Sequence, residues 1–262
     1  MSEKVTMQEV DVSEQYGARR VDLEFGGWRG FAILPEGDRR EREWVWYAPS
    51  FVGGHTPPAG PPADPTRRLP SDLHTWIMTR CLAAGMAVAG VDVGESAGSP
   101  DGRRGFTALH EALVKGYGLS SEACLLAQSR GGLMHYNWAV EHPEFVRRIV
   151  GIYPVCDLSG WPRVEQAAPA YRMAPEELQA ALPQHNPVLR LAPLAAARVP
   201  ILHLHGDHDS VVPLDLHSGE LVRRYRELGG PIELVVIPGA EHEEVPAFFE
   251  SPRVPEFLIG GK

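Results

Sequence analysis

The stretch Cys124-Leu125-Leu126-Ala127-Gln128-Ser129-Arg130-Gly131-Gly132-Leu133 constrains the chain more than any other. An apolar run leads straight into a serine, and two glycines follow before a helical pattern begins. That is how a strand-to-helix elbow presenting a nucleophile reads. The reason is geometric. A serine on so sharp a turn is held in a strained conformation with its hydroxyl projecting above the sheet edge, and only small residues can flank it. Here Ala127 stands two before it and Gly131 two after, and Gly132 lets the next helix start close to the strand. Taken alone, the stretch also fits a serine in an ordinary strand-helix loop.

The rest of the chain supplies a sheet for such an elbow. Residues 21–25 and 29–34 are short β-prone runs flanking Gly26-Gly27, a hairpin signal. Trp44-Val45-Trp46-Tyr47-Ala48 is an aromatic and β-branched strand that runs into Pro49-Ser50-Phe51-Val52-Gly53-Gly54-His55, and residues 56–65 form a proline-packed loop. From Ser71 the spacing of Leu73, Trp76, Ile77, Cys81 and Ala84 predicts an amphipathic helix closed by Gly85. Residues 86–91 are apolar throughout, as a strand covered on both faces must be. A helix over 107–116, the elbow strand, a helix ending near Pro143 and a strand at 147–153 follow. Strands at 201–205 and 232–237 enclose a helix over 214–228. Between Pro154 and Pro200 prolines recur among short helical pieces such as 175–182, with no strand, so residues 154–200 read as a small cap insertion over the sheet. The alternation predicts an α/β fold: a doubly wound, mostly parallel sheet with helices on both faces, in a single domain over residues 1–262.

Composition narrows the class. A net charge of −9, without clustered Lys and Arg beyond pairs such as Arg103-Arg104, argues against nucleic acid as a partner. No apolar run is long enough to span a membrane, and residues 1–17 are polar and mixed in charge without the apolar core of a signal peptide, which predicts a cytoplasmic protein. The three cysteines, Cys81, Cys124 and Cys156, lie far apart in apolar surroundings and read as buried small hydrophobes.

A serine hydroxyl is a weak nucleophile and needs a base within hydrogen-bond reach and an acid to orient that base. After the strand at 201–205 comes His205-Gly206-Asp207-His208-Asp209-Ser210-Val211-Val212-Pro213, and after that at 232–237 comes Pro238-Gly239-Ala240-Glu241-His242. The order is Ser, Asp, His, each at the C-terminal end of a strand, where this kind of sheet binds its ligands.

In these motifs, over residues 20–250, the chain resembles the α/β-hydrolase superfamily. The family's acid motif, His-Gly-x-x-Asp-x-x-Val-Pro, matches with the acid at Asp209, and its Gly-x-x-His form matches with the base at His242. The departure is Ala127, where the family's elbow Gly-x-Ser-x-Gly has its first glycine. The resemblance implies Ser129 as nucleophile and an oxyanion hole of two backbone N–H groups. One is that of Arg130; Phe51 is the candidate for the second, because it sits where the family's His-Gly-x loop falls, although Pro49-Ser50 stands here in place of His-Gly. The implied function is a serine hydrolase that cleaves a carboxylic ester of a small molecule through an acyl-enzyme intermediate, without metal or cofactor. A serine peptidase of the same fold is the alternative; the large peptidases of this fold carry a propeller or other gating domain before the hydrolase part, and none precedes it here, so the ester reading leads. A non-catalytic binding protein on this fold is a further alternative.

Glu95, in Gly94-Glu95-Ser96-Ala97-Gly98-Ser99, falls at the expected mouth of the site, as a substrate-binding residue or a solvated loop carboxylate. Trp161, Tyr171 and Met173 of the cap form either an apolar lid over the substrate or the cap's own packing. A rival metal reading rests on His203-Leu204-His205-Gly206-Asp207-His208, which spells the His-x-His-x-Asp-His zinc motif of metallo-β-lactamase-type hydrolases. Those enzymes carry the motif early and add ligands downstream, whereas only His217 and His242 follow it here, so the expectation is no metal.

Overall fold

The computed structural model describes residues 7–37, 42–60, 64 and 66–260. Residues 61–63 and 65 of the proline-rich loop and the first six residues of the polar start lie outside the described residues. The frame is a nine-stranded sheet, β1 (Met7–Gln15), β2 (Ala18–Phe25), β3 (Trp28–Leu34), β4 (Trp44–Ala48), β5 (Ala87–Asp92), β6 (Ala123–Gln128), β7 (Val146–Ile152), β8 (Ile201–Gly206) and β9 (Ile232–Ile237). Their spatial order is β1-β2-β3-β5-β4-β6-β7-β8-β9. The first four in that order pair antiparallel and all pairs from β5 onward are parallel, so the mostly parallel sheet is as expected.

Two tight hairpins open the chain. Phe25 pairs with Trp28 across Gly26-Gly27, whose φ values of 56° and 83° are those of the turn that matches strand twist. Gln15 pairs with Ala18 in the same way across Tyr16 and Gly17, with φ of 56° and 75°. Strand β1 is an addition to the sequence reading. Its residues are almost all exposed, so it shows no apolar face; pairing with β2 makes it a strand.

The helices are α1 (Thr75–Ala83), α2 (Pro100–Ala112), α3 (Gly131–Ala139), α4 (Val164–Tyr171), α5 (Pro175–Ala180), α6 (Leu182–His185), α7 (Ala192–Ala196), α8 (Ser218–Glu227), α9 (Pro246–Phe249) and α10 (Arg253–Ile259). Helix α2 begins seven residues before the expected 107, because Ser99 caps it through Gly102 N–H and Pro100 sits at its first position. Strand alternation splits the core in two. Trp44, Trp46, Ala123 and Leu125 face Phe106, Leu109, Tyr136, Trp138 and Tyr225 of α2, α3 and α8. Val45, Tyr47, Cys124 and Leu126 face Ile77, Met78, Phe248 and Leu258 of α1, α9 and α10. Each large ring taken fully out of water contributes about 2–3 kcal/mol. Cys81, Cys124 and Cys156 are free and buried, and burial pushes the first two thiols up to about 12.

The segment 154–200 carries no strand. Val155, Leu158, Val164, Ala167, Tyr171, Leu178 and Leu182 make a third, small core that rests on Leu133 of α3 and on Val212. From Val188 the segment returns to the main core, where Leu191 and Leu194 pack with Ile149 and Ile201. The cap is thus held between the loop after β8 and the first turns of α3. Strands β4 and β6 are neighbours whose following helices leave to opposite sides, a topological switch point at which loops diverge and open a crevice.

Candidate active site

Ser129 directly follows β6 with φ of +49°, in the left-handed region that costs a non-glycine residue about 1–2 kcal/mol. Three backbone hydrogen bonds hold it there. Its N–H donates to Ile152 O at 3.0 Å, and its carbonyl accepts from Gly132 N at 2.9 Å and Val155 N at 2.8 Å. Closeness also explains the glycines: a Cβ on Gly131 would lie 2.0 Å from Ala48 O, and one on Gly132 would lie 2.3 Å from Val155 O. Ala127, where the superfamily has glycine, pairs with the small residues Ala48 and Gly151 on either side.

The structure brings Ser129, His242 and Asp209 together. Ser129 Oγ lies 2.9 Å from His242 Nε2, and His242 Nδ1 lies 2.8 Å from Asp209 Oδ2. Because β8 and β9 run parallel and adjacent, the loops that follow them lie side by side, and that places the acid beside the base. Asp209 is 5% exposed. Its Oδ1 accepts from Val211 N at 3.1 Å and Val212 N at 2.7 Å, while Oδ2 also receives His205 Nε2 at 3.2 Å. Burial alone would raise its pKa; the hydrogen bonds from His205, His242 and Val212 outweigh it and hold the carboxyl well below the usual carboxylate range. The anion is therefore built in. The His242 ring rests on Tyr153, with centroids 4.3 Å apart. Tyr153 was not singled out by the sequence; a residue just past β7 with φ of +34° gives no signal there.

The four residues of the zinc-like motif do not converge. His203 and His205 point into the core, both onto Ser218, whereas Asp207 and His208 pair with each other on the surface at 2.8 Å. Among the described residues no three His, Cys, Asp or Glu side chains are arranged to hold a metal ion.

Phe51 differs from its expectation. Its N–H donates to Leu69 O at 3.2 Å in an isolated bridge and is not directed at an oxyanion, because Leu69 returns past it as a short antiparallel partner. Arg130 N–H, at the start of α3, has no hydrogen-bond acceptor among the described residues and is next to Ser129. The Arg130 guanidinium turns to Glu95, with which it forms an ion pair, and its carbon stands 5.4 Å from the Trp161 ring centre. Glu95, Ala97, Arg130, Met134, Trp161, Pro162 and Gln166 enclose a cavity of about 210 Å³ beside the elbow. Tyr171 is not part of that wall: it is buried in the cap core and its hydroxyl donates to Ala97 O at 3.0 Å. Met173 packs against the same cap core.

Fold and site together define an α/β-hydrolase, with a serine on the elbow and a histidine and an aspartate on the last two strand ends. The profile of the prolyl oligopeptidase family matches residues 104–254, more than half of the chain, and the chain belongs to that family. No curated protein sequence matches it. Among solved structures it is similar to a puromycin-hydrolyzing peptidase of Mycobacterium tuberculosis, at 16% identity and a TM-score of 0.66 over 93% of this chain and 39% of that one. It is similar to the Porphyromonas gingivalis dipeptidyl peptidase 4 at 14% identity and a TM-score of 0.67, over 90% of this chain and 34% of the other. The chain thus spans little more than a third of the length of these peptidases. It is also similar to an S-formylglutathione hydrolase from Agrobacterium tumefaciens, at 13% identity and a TM-score of 0.67 over 96% and 95% of the two chains. No helix among the described residues is long and apolar enough to cross a membrane.

Proposed function

We propose that this protein is a serine hydrolase that cleaves a carboxylic ester of a small molecule through an acyl-enzyme. The observation that carries the reading is the unbroken contact from Ser129 Oγ through His242 to the Asp209 carboxylate. Ser129 Oγ attacks the acyl carbon while its proton passes to His242 Nε2, and Asp209 stabilises the imidazolium that forms. The oxyanion develops against Arg130 N–H. His242 Nε2–H then protonates the leaving alcohol, a water attacks the acyl-enzyme with His242 again as base, and the acid leaves with Ser129 restored. No metal or organic cofactor enters these steps. Glu95 and Trp161 serve as walls of the substrate pocket, with Glu95 holding the Arg130 side chain to one side. The ester reading is supported by the S-formylglutathione hydrolase, whose chain matches this layout over nearly its whole length.

Membership of the prolyl oligopeptidase family favours a second reading, hydrolysis of a peptide bond by the same triad. A panel of acyl esters against aminoacyl amides, with and without chelator, separates the two. Ester turnover at least a hundredfold above amide turnover is expected, with a fluorophosphonate probe labelling Ser129 and Ser129→Ala abolishing both labelling and turnover. Faster turnover of amides would hand the site to the peptidase reading. Hydrolysis that persists in Ser129→Ala and disappears with chelator would overturn both.

A further inference from the structure

Behind the acid of the site lies a line of buried polar side chains that the steps above do not use. His205 Nε2 is 3.2 Å from Asp209 Oδ2 and 2.8 Å from Val212 O, and its Nδ1 is 2.7 Å from Ser218 Oγ. Ser218 Oγ is in turn 2.9 Å from His203 Nδ1, and His203 Nε2 is 2.7 Å from the Tyr136 hydroxyl. Tyr136, His203, His205 and Ser218 are all fully buried.

Taken with a neutral His205 ring, donor and acceptor rules set the direction of every hydrogen bond in this line. A carbonyl and an ionised carboxylate only accept, so Nε2 of His205 must carry a proton. In the neutral ring Nδ1 is then bare and accepts from the Ser218 hydroxyl. With its own proton spent, Ser218 Oγ accepts from His203 Nδ1–H, and the bare Nε2 of His203 accepts from the Tyr136 hydroxyl. All four side chains donate in one sense, toward Asp209. Burial, then the neighbouring His205, pushes His203 down to about 3, in keeping with a neutral link.

We infer that His205, oriented by Ser218, His203 and Tyr136, is a positioning residue that locks the Asp209 carboxylate in the rotation that meets His242. The terminal torsion of an aspartate is broad and nearly two-fold. Val211 and Val212 N–H fix only Oδ1. Oδ2 is held between the N–H of His242, on a loop, and that of His205, on a strand buried throughout. The strand side is the rigid one, so the position of the catalytic base is referred through Asp209 to β8 and, by way of Tyr136, to the helix that begins at the elbow. The same line ties the acid to α3, the helix that starts just after Ser129.

The inference rests on the triad reading, and a double-mutant cycle on kcat tests it. His205→Leu removes the donor; it should lower kcat about 30-fold, the worth of a hydrogen bond to a charged group, with KM within about twofold. In an Asp209→Asn background the same substitution should change kcat less than about twofold, because there is no carboxylate left to hold. His205→Gln, which returns an N–H, should recover most of the loss. Ser218→Ala should give a smaller drop, about fivefold, with the same dependence on Asp209, and it carries the cycle alone if His205→Leu fails to fold. Equal factors in both backgrounds, or an unchanged kcat in both Ser218→Ala and His205→Leu, would overturn it. Failure of the triad reading shows elsewhere, as activity retained by Ser129→Ala.

Discussion

Exchanging one oxygen of Asp209 for an NH2 group puts the site to its most severe test. In Asp209→Asn the amide has two ways to sit. Val211 and Val212 N–H both donate to the Oδ1 position, so the amide oxygen is drawn there and the NH2 group takes the place of Oδ2. That group would then face Nδ1 of His242 at about the 2.8 Å now bridged by a hydrogen bond. The arrangement is tolerable only if Nδ1 gives up its proton and accepts. His242 is thereby switched to the tautomer with its proton on Nε2, where it can no longer take one from Ser129. The expected loss in kcat is on the order of 10⁴, or about 5.4 kcal/mol of transition-state stabilisation. Asp207→Asn is the control, two residues away in the same turn. Asp207 is exposed and bonds Gly239 N–H and His208, away from the base, and its replacement should keep kcat within about threefold. Steady-state kinetics on the two purified variants, with melting curves to show that both fold, decide the matter. A kcat for Asp209→Asn within tenfold of the parent, or a dead Asp207→Asn, would refute the reasoning.

Trp161→Ala opens the cavity beside the elbow and removes a cation–π contact with Arg130 worth about 0.5–1 kcal/mol. The Tm should fall by about 3 °C or less while the preferred acyl chain length shifts upward; an unchanged preference with a large fall in Tm would make Trp161 a packing residue only. His135 is fully buried between Trp46 and Phe106 with neither ring nitrogen hydrogen-bonded, and burial pushes it down to about 3. Between its unfolded value near 6.5 and that folded value only the unfolded chain binds the proton, so stability falls as pH falls, by about 2 kcal/mol from this residue at pH 5. His135→Phe should leave stability at pH 7 equal or higher and recover about 2 kcal/mol at pH 5 in urea titrations; the same pH dependence in both proteins would refute this.

The parts of the fold legible in the sequence were those in which a residue's neighbours along the chain decide its state. The uninterrupted apolar runs of β4, β5 and β6 announce strands covered on both faces, and Gly26-Gly27 announces a turn. The elbow was legible because its serine and two glycines stand together along the chain, although what keeps Gly131 small is Ala48 O on the neighbouring strand. Strand β1 was hidden, since an exposed edge strand takes its form from its partner and carries no apolar face. Phe51 was misjudged for a related reason: its N–H is taken by Leu69, eighteen residues on, which no local pattern could reveal. His203 and His205 did carry a signal. Two imidazoles inside an apolar strand must have buried partners, yet only the packing of α8 against β8 shows that both meet at Ser218.

The site takes its three side chains from regions of unequal security. Ser129 follows β6, paired on both sides in the middle of the sheet and wholly buried, whereas His242 follows β9, the outermost strand, which is half open to solvent. Mild denaturant should loosen that rim first, as a local opening that frees amide protons of β9 to exchange while those of β6 stay protected. Catalysis would then fade before the molecule unfolds, and the serine would remain poised on its turn after its base had drifted away.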